Sequence, residues 1–188
     1  TADPGSYLYY DKPWNSRFMS TSLHNTISID GFNQMDKGPR FMWYNWTKSK
    51  KNYNIHDKKQ DIKYFEGEHY GYLRLQEPIL HKRAMFLPLP DTWIVIDDLI
   101  GKGLYNFNLH WLTSQNTHRV GNSLNKFIFD DLSDSNNSYG LIVKNMIQPN
   151  KPLKSKIIEG SLNGDCYGWS SNYYGIKEKK KSILIKLF

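Results

Sequence analysis

The sequence predicts an all-β protein: a large antiparallel β-sandwich, supersandwich-like, with essentially no helix. Three observations carry this reading. Apolar and polar residues alternate with period two along most of the 188-residue chain, the signature of half-buried strands. No segment long enough for three helical turns repeats its apolar positions at helical spacing. Aromatic residues reach 15%, with 13 Tyr, 9 Phe and 6 Trp, and rings favour pleated, half-buried surfaces and sugar-binding faces.

In chain order, strands are predicted over 6–10, 26–30, 40–46, 62–66, 70–75, 83–87, 93–97, 105–112, 126–129, 139–145, 154–159 and 182–187. Turns are predicted at Asp30-Gly31, Lys37-Gly38-Pro39, Leu87-Pro88-Leu89-Pro90-Asp91 and Gly101-Lys102-Gly103, where Gly supplies positive φ and Pro stops a ladder. Strands joined by tight turns, with no crossover helices, imply antiparallel pairing. The polar, basic stretch 48–61 reads as a surface loop, and the acidic, Asn/Ser-rich stretch 130–138 as a hairpin tip. No fixed-period repeat is present, and one domain is expected over 1–188.

A hydrophobic share of 39% and a charged share of 23% exclude wholesale disorder. The longest apolar runs, such as 93–96 and 183–185, fall far below the ~20 residues of a membrane helix. Lys plus Arg is 25 and Asp plus Glu is 18, a net charge of +7, which favours polyanionic partners. A single cysteine, Cys166, excludes a disulfide framework and a multi-cysteine zinc finger. The first residues, Thr1-Ala2-Asp3-Pro4-Gly5, carry neither an initiator Met nor a signal-peptide pattern, as expected of an excised or processed piece of a longer protein.

His24 stands just ahead of a β-branched alternating strand, in Ser20-Thr21-Ser22-Leu23-His24-Asn25-Thr26-Ile27-Ser28-Ile29-Asp30-Gly31. A neutral imidazole there is chemically able to hold a metal with a carboxylate such as Asp3. A hydrogen-bonded structural histidine is the other reading. Asp3 and His24 are 21 positions apart with no His-x-His pattern, so spacing does not choose between them.

That block, with Asp3-Pro-Gly-Ser-Tyr-Leu-Tyr-Tyr before it, resembles the heparinase II/III-like family of polysaccharide lyases. Phe65-Glu-Gly-Glu-His-Tyr-Gly-Tyr72, His81-Lys-Arg-Ala-Met85, Trp93-Ile-Val-Ile-Asp-Asp-Leu99 and Gly168-Trp-Ser-Ser-Asn-Tyr-Tyr-Gly175 follow in the order such chains show. The resemblance covers nearly the whole chain and implies the C-terminal β-sheet domain, separated from an N-terminal helical toroid. It implies zinc held by two histidines and an aspartate, onto which Asp3 and His24 map. The second histidine belongs to a segment upstream of Asp3, so zinc is expected to be absent or weakly held here.

The reaction implied is β-elimination on a uronic-acid-containing polysaccharide. It requires stabilisation of an enediolate, a base at C5 and an acid at the leaving oxygen. The principal groups belong to the toroid, so the isolated chain is expected to be inactive and to form one wall of the cleft. Tyr7, Tyr9, Tyr10 and Arg17 are the candidate substrate contacts, or else members of a packed aromatic edge. The implied partners are an acidic polysaccharide and the toroid of the parent chain, with a periplasmic or secreted parent. A non-catalytic carbohydrate-binding module and a structural or nucleic-acid-binding β domain are the alternatives from other classes, with nucleic acid disfavoured and no membrane partner expected.

Other residues carry weaker signals. Alternation places His81 and Arg83 on one strand face, either as an anion fork or as a solvated strand end. His56, His69, His110 and His118 show no pairing pattern and read as structural; His110-Trp111 suits either a sugar face or the core. The basic run 177–181 reads as a solvated loop, Cys166 as an inert thiol, and Asn45-Trp46-Thr47 and Asn136-Asn137-Ser138 as chance glycosylation sequons.

Overall fold

The computed structural model describes residues 3–114, 116–121, 125–130, 138–146, 153–161 and 166–187. The ladders among them are antiparallel, and the all-β class read from the sequence holds. The strands are β1 (Ile27–Ile29), β2 (Asp36–Lys37), β3 (Trp43–Tyr44), β4 (Ser49–Asp57), β5 (Ile62–His69), β6 (Ile79–Leu89), β7 (Thr92–Gly101) and β8 (Phe107–Thr113). They continue as β9 (His118–Arg119), β10 (Lys126–Asp130), β11 (Ser138–Ile142), β12 (Lys154–Glu159), β13 (Trp169–Tyr173), β14 (Ile176–Lys179) and β15 (Lys181–Leu187). Contacts divide the chain into two units, Thr1–Phe32 with Asn106–Phe188, and Asn33–Tyr105.

The first unit is built on a sheet of order β1-β8-β15-β12. Register aligns Ile27 with Leu109, and Leu109 with Ile185. On this face Ile27, Ile29, Ile183 and Ile185 are at most 2% exposed, each burial stabilising the fold by about 1.5–3 kcal/mol. The opposite face is buried too, but with His110, Leu112 and Ser182. A smaller sheet, β11-β10-β9, contributes Phe127 to the core, and β13 pairs with β14 as a hairpin.

A short helix, α1 (Lys12–Phe18), precedes a 3-10 turn at Thr21–Leu23. Pro13 presets φ in the first turn, and Trp14 and Phe18, one turn apart, bring their ring centroids to 5.8 Å on one side. A helix this short cannot show sustained periodicity, which is why the sequence reading lacked it. Segment 6–10, read as a strand, is irregular: only Gly5 forms a bridge, to Ser171. Its carbonyls are taken instead by the β13–β14 hairpin, where Ser171 Oγ donates to Ser6 and Gly175 N–H to Tyr7, while Ser171 N–H donates to Pro4 just ahead.

The second unit carries the sheet β4-β5-β6-β7 and the small ladder β2-β3. Stretch 48–61, expected as a loop, is largely β4 and its turn into β5. Here β4 is an edge strand exposed along nearly its whole length. An edge needs no apolar alternation, and lysines protect it from pairing with other chains. Asp57 closes the turn by accepting the Lys59 N–H at 2.9 Å.

Segment 70–75, expected as a strand, is instead a turn. Its carbonyl at Tyr70 accepts Leu73 N–H, that of Tyr72 accepts both Leu75 and Ile79 N–H, and the Tyr72 ring is fully buried. Of 40–46 only Trp43–Tyr44 is strand, because Arg40 and Asn45 adopt positive φ. The Asp30-Gly31 turn is present, with φ of 45° and 77°. The tip of 130–138 lies outside the described residues. No helix among the described residues is long and apolar enough to cross a membrane.

Candidate functional site

The segment before β1 is fastened to β8 by both side-chain and main-chain hydrogen bonds rather than by a regular ladder. Asn25 Oδ1 accepts the Leu112 N–H at 2.7 Å, and His110 N–H donates to the Thr26 carbonyl. Beneath lies a directed chain of hydrogen bonds. Gly168 N–H donates to Ser182 Oγ at 2.8 Å, and the Ser182 hydroxyl reaches His110 Nε2 at 2.8 Å. His110 Nδ1 then donates to the His24 carbonyl at 3.0 Å. Burial pushes the His110 imidazole down to about 4, so the ring is neutral, with its one proton on Nδ1.

His24 itself sits at the lip, half-exposed. Its Nδ1 lies 2.8 Å from the Ser20 carbonyl. A carbonyl only accepts, so Nδ1 carries a proton, and the neutral tautomer of such a ring has its lone pair on Nε2. Asp3 Oδ2 stands 3.8 Å from that Nε2, while Asp3 Oδ1 accepts the Gly5 N–H at 2.8 Å. Gly5 needs its φ of 74° here, and a Cβ would fall 2.0 Å from the Ser171 carbonyl oxygen.

This pair can be tested as part of a zinc site. Two N/O ligands of a tetrahedral zinc stand about 3.3–3.5 Å apart, a few tenths of an ångström less than the separation seen. Each group presents an unshared pair to the other while its second polar atom is anchored, as metal ligands require. The donors fit as two members of a set. Among the described residues no group of three or more His, Cys, Asp or Glu side chains is arranged for a metal.

Tyr7, Tyr9, Tyr10 and Arg17 lie between these two residues in sequence, and the structure separates their surroundings. Tyr7 is packed, its ring centroid 6.1 Å from that of Trp14. Lys177 extends its ammonium 3.4 Å from the Trp14 centroid, 4.7 Å from Tyr7 and 5.4 Å from Trp169. Run 177–181, read as a loop, is strand except at Lys180, with Lys177 serving three rings and Lys181 Nζ donating to the Thr117 carbonyl. Tyr9 stands 5.4 Å from Tyr174, ring to ring. Tyr10 and Arg17 are exposed, and the Arg17 guanidinium makes no ion pair among the described residues.

The second unit holds a different polar cluster. His81 and Arg83 share one face of β6, and both reach Asp97 of β7. His81 Nε2 is 2.6 Å from Asp97 Oδ1, and Arg83 grips both carboxylate oxygens at 2.7 and 2.8 Å. His81 is 2% exposed, so the solvated-end reading fails. Burial raises the Asp97 pKa, but the hydrogen bonds from His81 and Arg83 outweigh it and hold the carboxyl below its ordinary range.

Behind His81 stands His69, its Nε2 2.9 Å from His81 Nδ1. Gly71 N–H donates to His69 Nδ1, which makes His69 Nε2–H a donor and His81 Nε2–H the donor to Asp97. Burial, then the neighbouring His81 and Arg83, push His69 down to about 4. His56 meets Asp61 and His118 a main-chain carbonyl.

The sequence reading missed two groupings. Along β5 and the residue that follows it, Tyr64 and Tyr70 donate to Glu66 and Glu68, each at 2.7 Å, and Asn52 bridges both carboxylates. The period-two series Tyr64, Glu66, Glu68, Tyr70 was its visible trace. The Tyr7, Trp14, Trp169 and Lys177 box unites three segments that no local pattern links.

The molecule is thus an all-β protein with an acid–imidazole pair ahead of β1. The chain belongs to the heparinase II/III-like family: the family model described as "Heparinase II/III-like, C-terminal" matches residues 1–155. Among solved structures it is similar to the heparan sulfate lyase HepC from Pedobacter heparinus, with a TM-score of 0.71, 17% identity and coverage of 100% of this chain and 25% of that one. It is also similar to a crystal structure of heparinase III, with a TM-score of 0.70, 19% identity and coverage of 98% of this chain and 25% of that one. The chain thus spans about a quarter of the length of these structures. No curated protein matches the sequence.

Proposed function

We propose that this chain is the C-terminal β domain of a longer polysaccharide lyase that cleaves uronic-acid-containing polysaccharide by β-elimination. The carrying observation is the convergence of Asp3 Oδ2 and His24 Nε2 at 3.8 Å in a member of this family. A helical toroid elsewhere in the parent supplies the principal acid, base and carboxylate-neutralising groups. This domain forms one wall of the cleft.

Asp3 and His24 would hold zinc, completed by a histidine from a segment preceding Asp3. Such an ion supplies structural charge, tying the 3–24 loop to β1. The residues of this chain do the rest. Ser20 and His110 orient His24, Gly5 orients Asp3, and the loop between them presents Tyr9, Tyr10 and Arg17 toward an acidic glycan, with Tyr7 packed behind them against Trp14. An Arg fork matches a carboxylate or sulfate through two parallel hydrogen bonds.

The test is lyase activity on heparan sulfate and other uronates, read by the ultraviolet absorbance of the unsaturated product. The parent chain is expected to turn over and the 188-residue chain to stay silent. Robust turnover by the isolated chain, or a silent parent on every uronate tested, overturns the reading.

A further inference from the structure

The tyrosine-bearing loop does not end the ring surface. Its backbone is stapled to the β13–β14 hairpin by Ser171 N–H to Pro4, Ser171 Oγ to Ser6 and Gly175 N–H to Tyr7. The hairpin is irregular between Ser170 and Tyr173, and Gly175 turns it with φ of 80°. Rings from two distant segments are thereby brought to one exposed place. Tyr9 and Tyr174 lie 5.4 Å apart, each 56% exposed, with Tyr10 and Tyr173 more exposed still.

Paired rings fixed by backbone bonds, yet open to water, are poor core and good stacking surface. The chain as a whole carries +7, and Lys177 of the hairpin stands 4.7 Å from the Tyr7 ring of the loop. Trp14 of α1 packs on Tyr7 and on Trp169 of the hairpin, and that helix also carries Lys12 and Arg17. Neither cation, nor Lys177, is neutralised by a carboxylate among the described residues. A neutral sugar has no use for such charge, whereas an acidic polysaccharide offers both a ring to stack and anions to pair.

We propose that Tyr174, with Tyr9, forms a stacking platform for a pyranose ring of an acidic polysaccharide. This extends the glycan surface onto the hairpin and rests on the acidic-glycan reading above.

The experiment is affinity electrophoresis of the 188-residue chain through gels containing heparan sulfate, chondroitin sulfate, alginate or neutral dextran, with circular dichroism to verify folding. The wild type is expected to be retarded by at least one acidic glycan and not by dextran. Tyr174→Ala and Tyr9→Ala should each weaken retention about 3–10-fold, and Tyr174→Phe should stay within about twofold, since stacking needs the ring and not the hydroxyl. Trp46→Ala, in the other unit and 75% exposed, should match the wild type. Retention of folded Tyr174→Ala equal to wild type overturns the platform, as does a wild type that no acidic glycan retards. A platform that responds as stated beside a parent without lyase activity leaves this inference standing and removes the lyase; a working lyase indifferent to Tyr174 does the reverse.

Discussion

His110 Nδ1 donates to the main-chain carbonyl of His24 at 3.0 Å, so a buried imidazole on β8 fixes the backbone of an exposed one beside β1. The link continues inward to Ser182, whose hydroxyl also takes the Gly168 N–H. His24 is thus held from behind by the core of its own sheet.

Removing Ser182 Oγ leaves His110 Nε2 and the Gly168 amide buried without their partner. Ser182→Ala should cost about 1–3 kcal/mol, seen as a lowered urea midpoint with unchanged slope. A midpoint equal to wild type would mean that water replaces the hydroxyl and that the chain of bonds is not structural.

Lys177 sits against three rings without a carboxylate partner among the described residues. Lys177→Met keeps the length and loses the charge, and should destabilise by about 0.5–2 kcal/mol with altered tryptophan fluorescence. Lys177→Arg should recover most of the loss. Equal stability of Lys177→Met would make the ammonium incidental to the packing.

The polar cluster of the second unit predicts a pH dependence. The groups facing His69 are His81 and Arg83 of β6, Asp97 of β7, and Tyr72. With His69 lowered from 6.5 to about 4, the unfolded chain binds more protons than the folded one between those values. The stability that His69 contributes is therefore full above pH 6.5 and is lost as pH falls toward 4, by a few kcal/mol at most, and buried His110, likewise lowered to about 4, adds a parallel loss that a His69 variant keeps. Asp97, held below its ordinary range, adds to the loss only at still lower pH. Denaturation midpoints of wild type and His69→Phe from pH 7.5 to 4.5 check this; parallel slopes would contradict it.

Much of the fold was legible because burial imposes alternation. The strands β5 to β8, β12 and β15 announced themselves through Ile, Leu, Val and aromatic residues at every second position. Where burial was missing, so was the signal: β4 is an exposed edge and reads as a loop. Where rings alternated for another reason, the signal misled. Segment 6–10 is held by its carbonyls on the hairpin, and 70–75 turns because Gly71 lies so close to Gln34 that a Cβ would fall 2.7 Å from that carbonyl oxygen.

The site was legible as residues but not as geometry. Asp3 and His24 were nameable only through the Asp-Pro-Gly and His-Asn-Thr blocks, since no spacing rule brings together positions so far apart. Tyr174 and Lys177 carried no motif at all. Their roles arise from register between β13 and β14 and from two backbone bonds and the Ser171 hydroxyl, which tie the hairpin to the first residues.

The most direct test of the account is a zinc titration of the 188-residue chain followed by imidazole nitrogen chemical shifts. Two donors predict weak binding, with the His24 Nε2 signal moving, Nδ1 remaining protonated toward Ser20, and the response lost in Asp3→Ala. Zinc that leaves His24 unmoved at millimolar concentration, or that binds through Nδ1, would contradict the clasp.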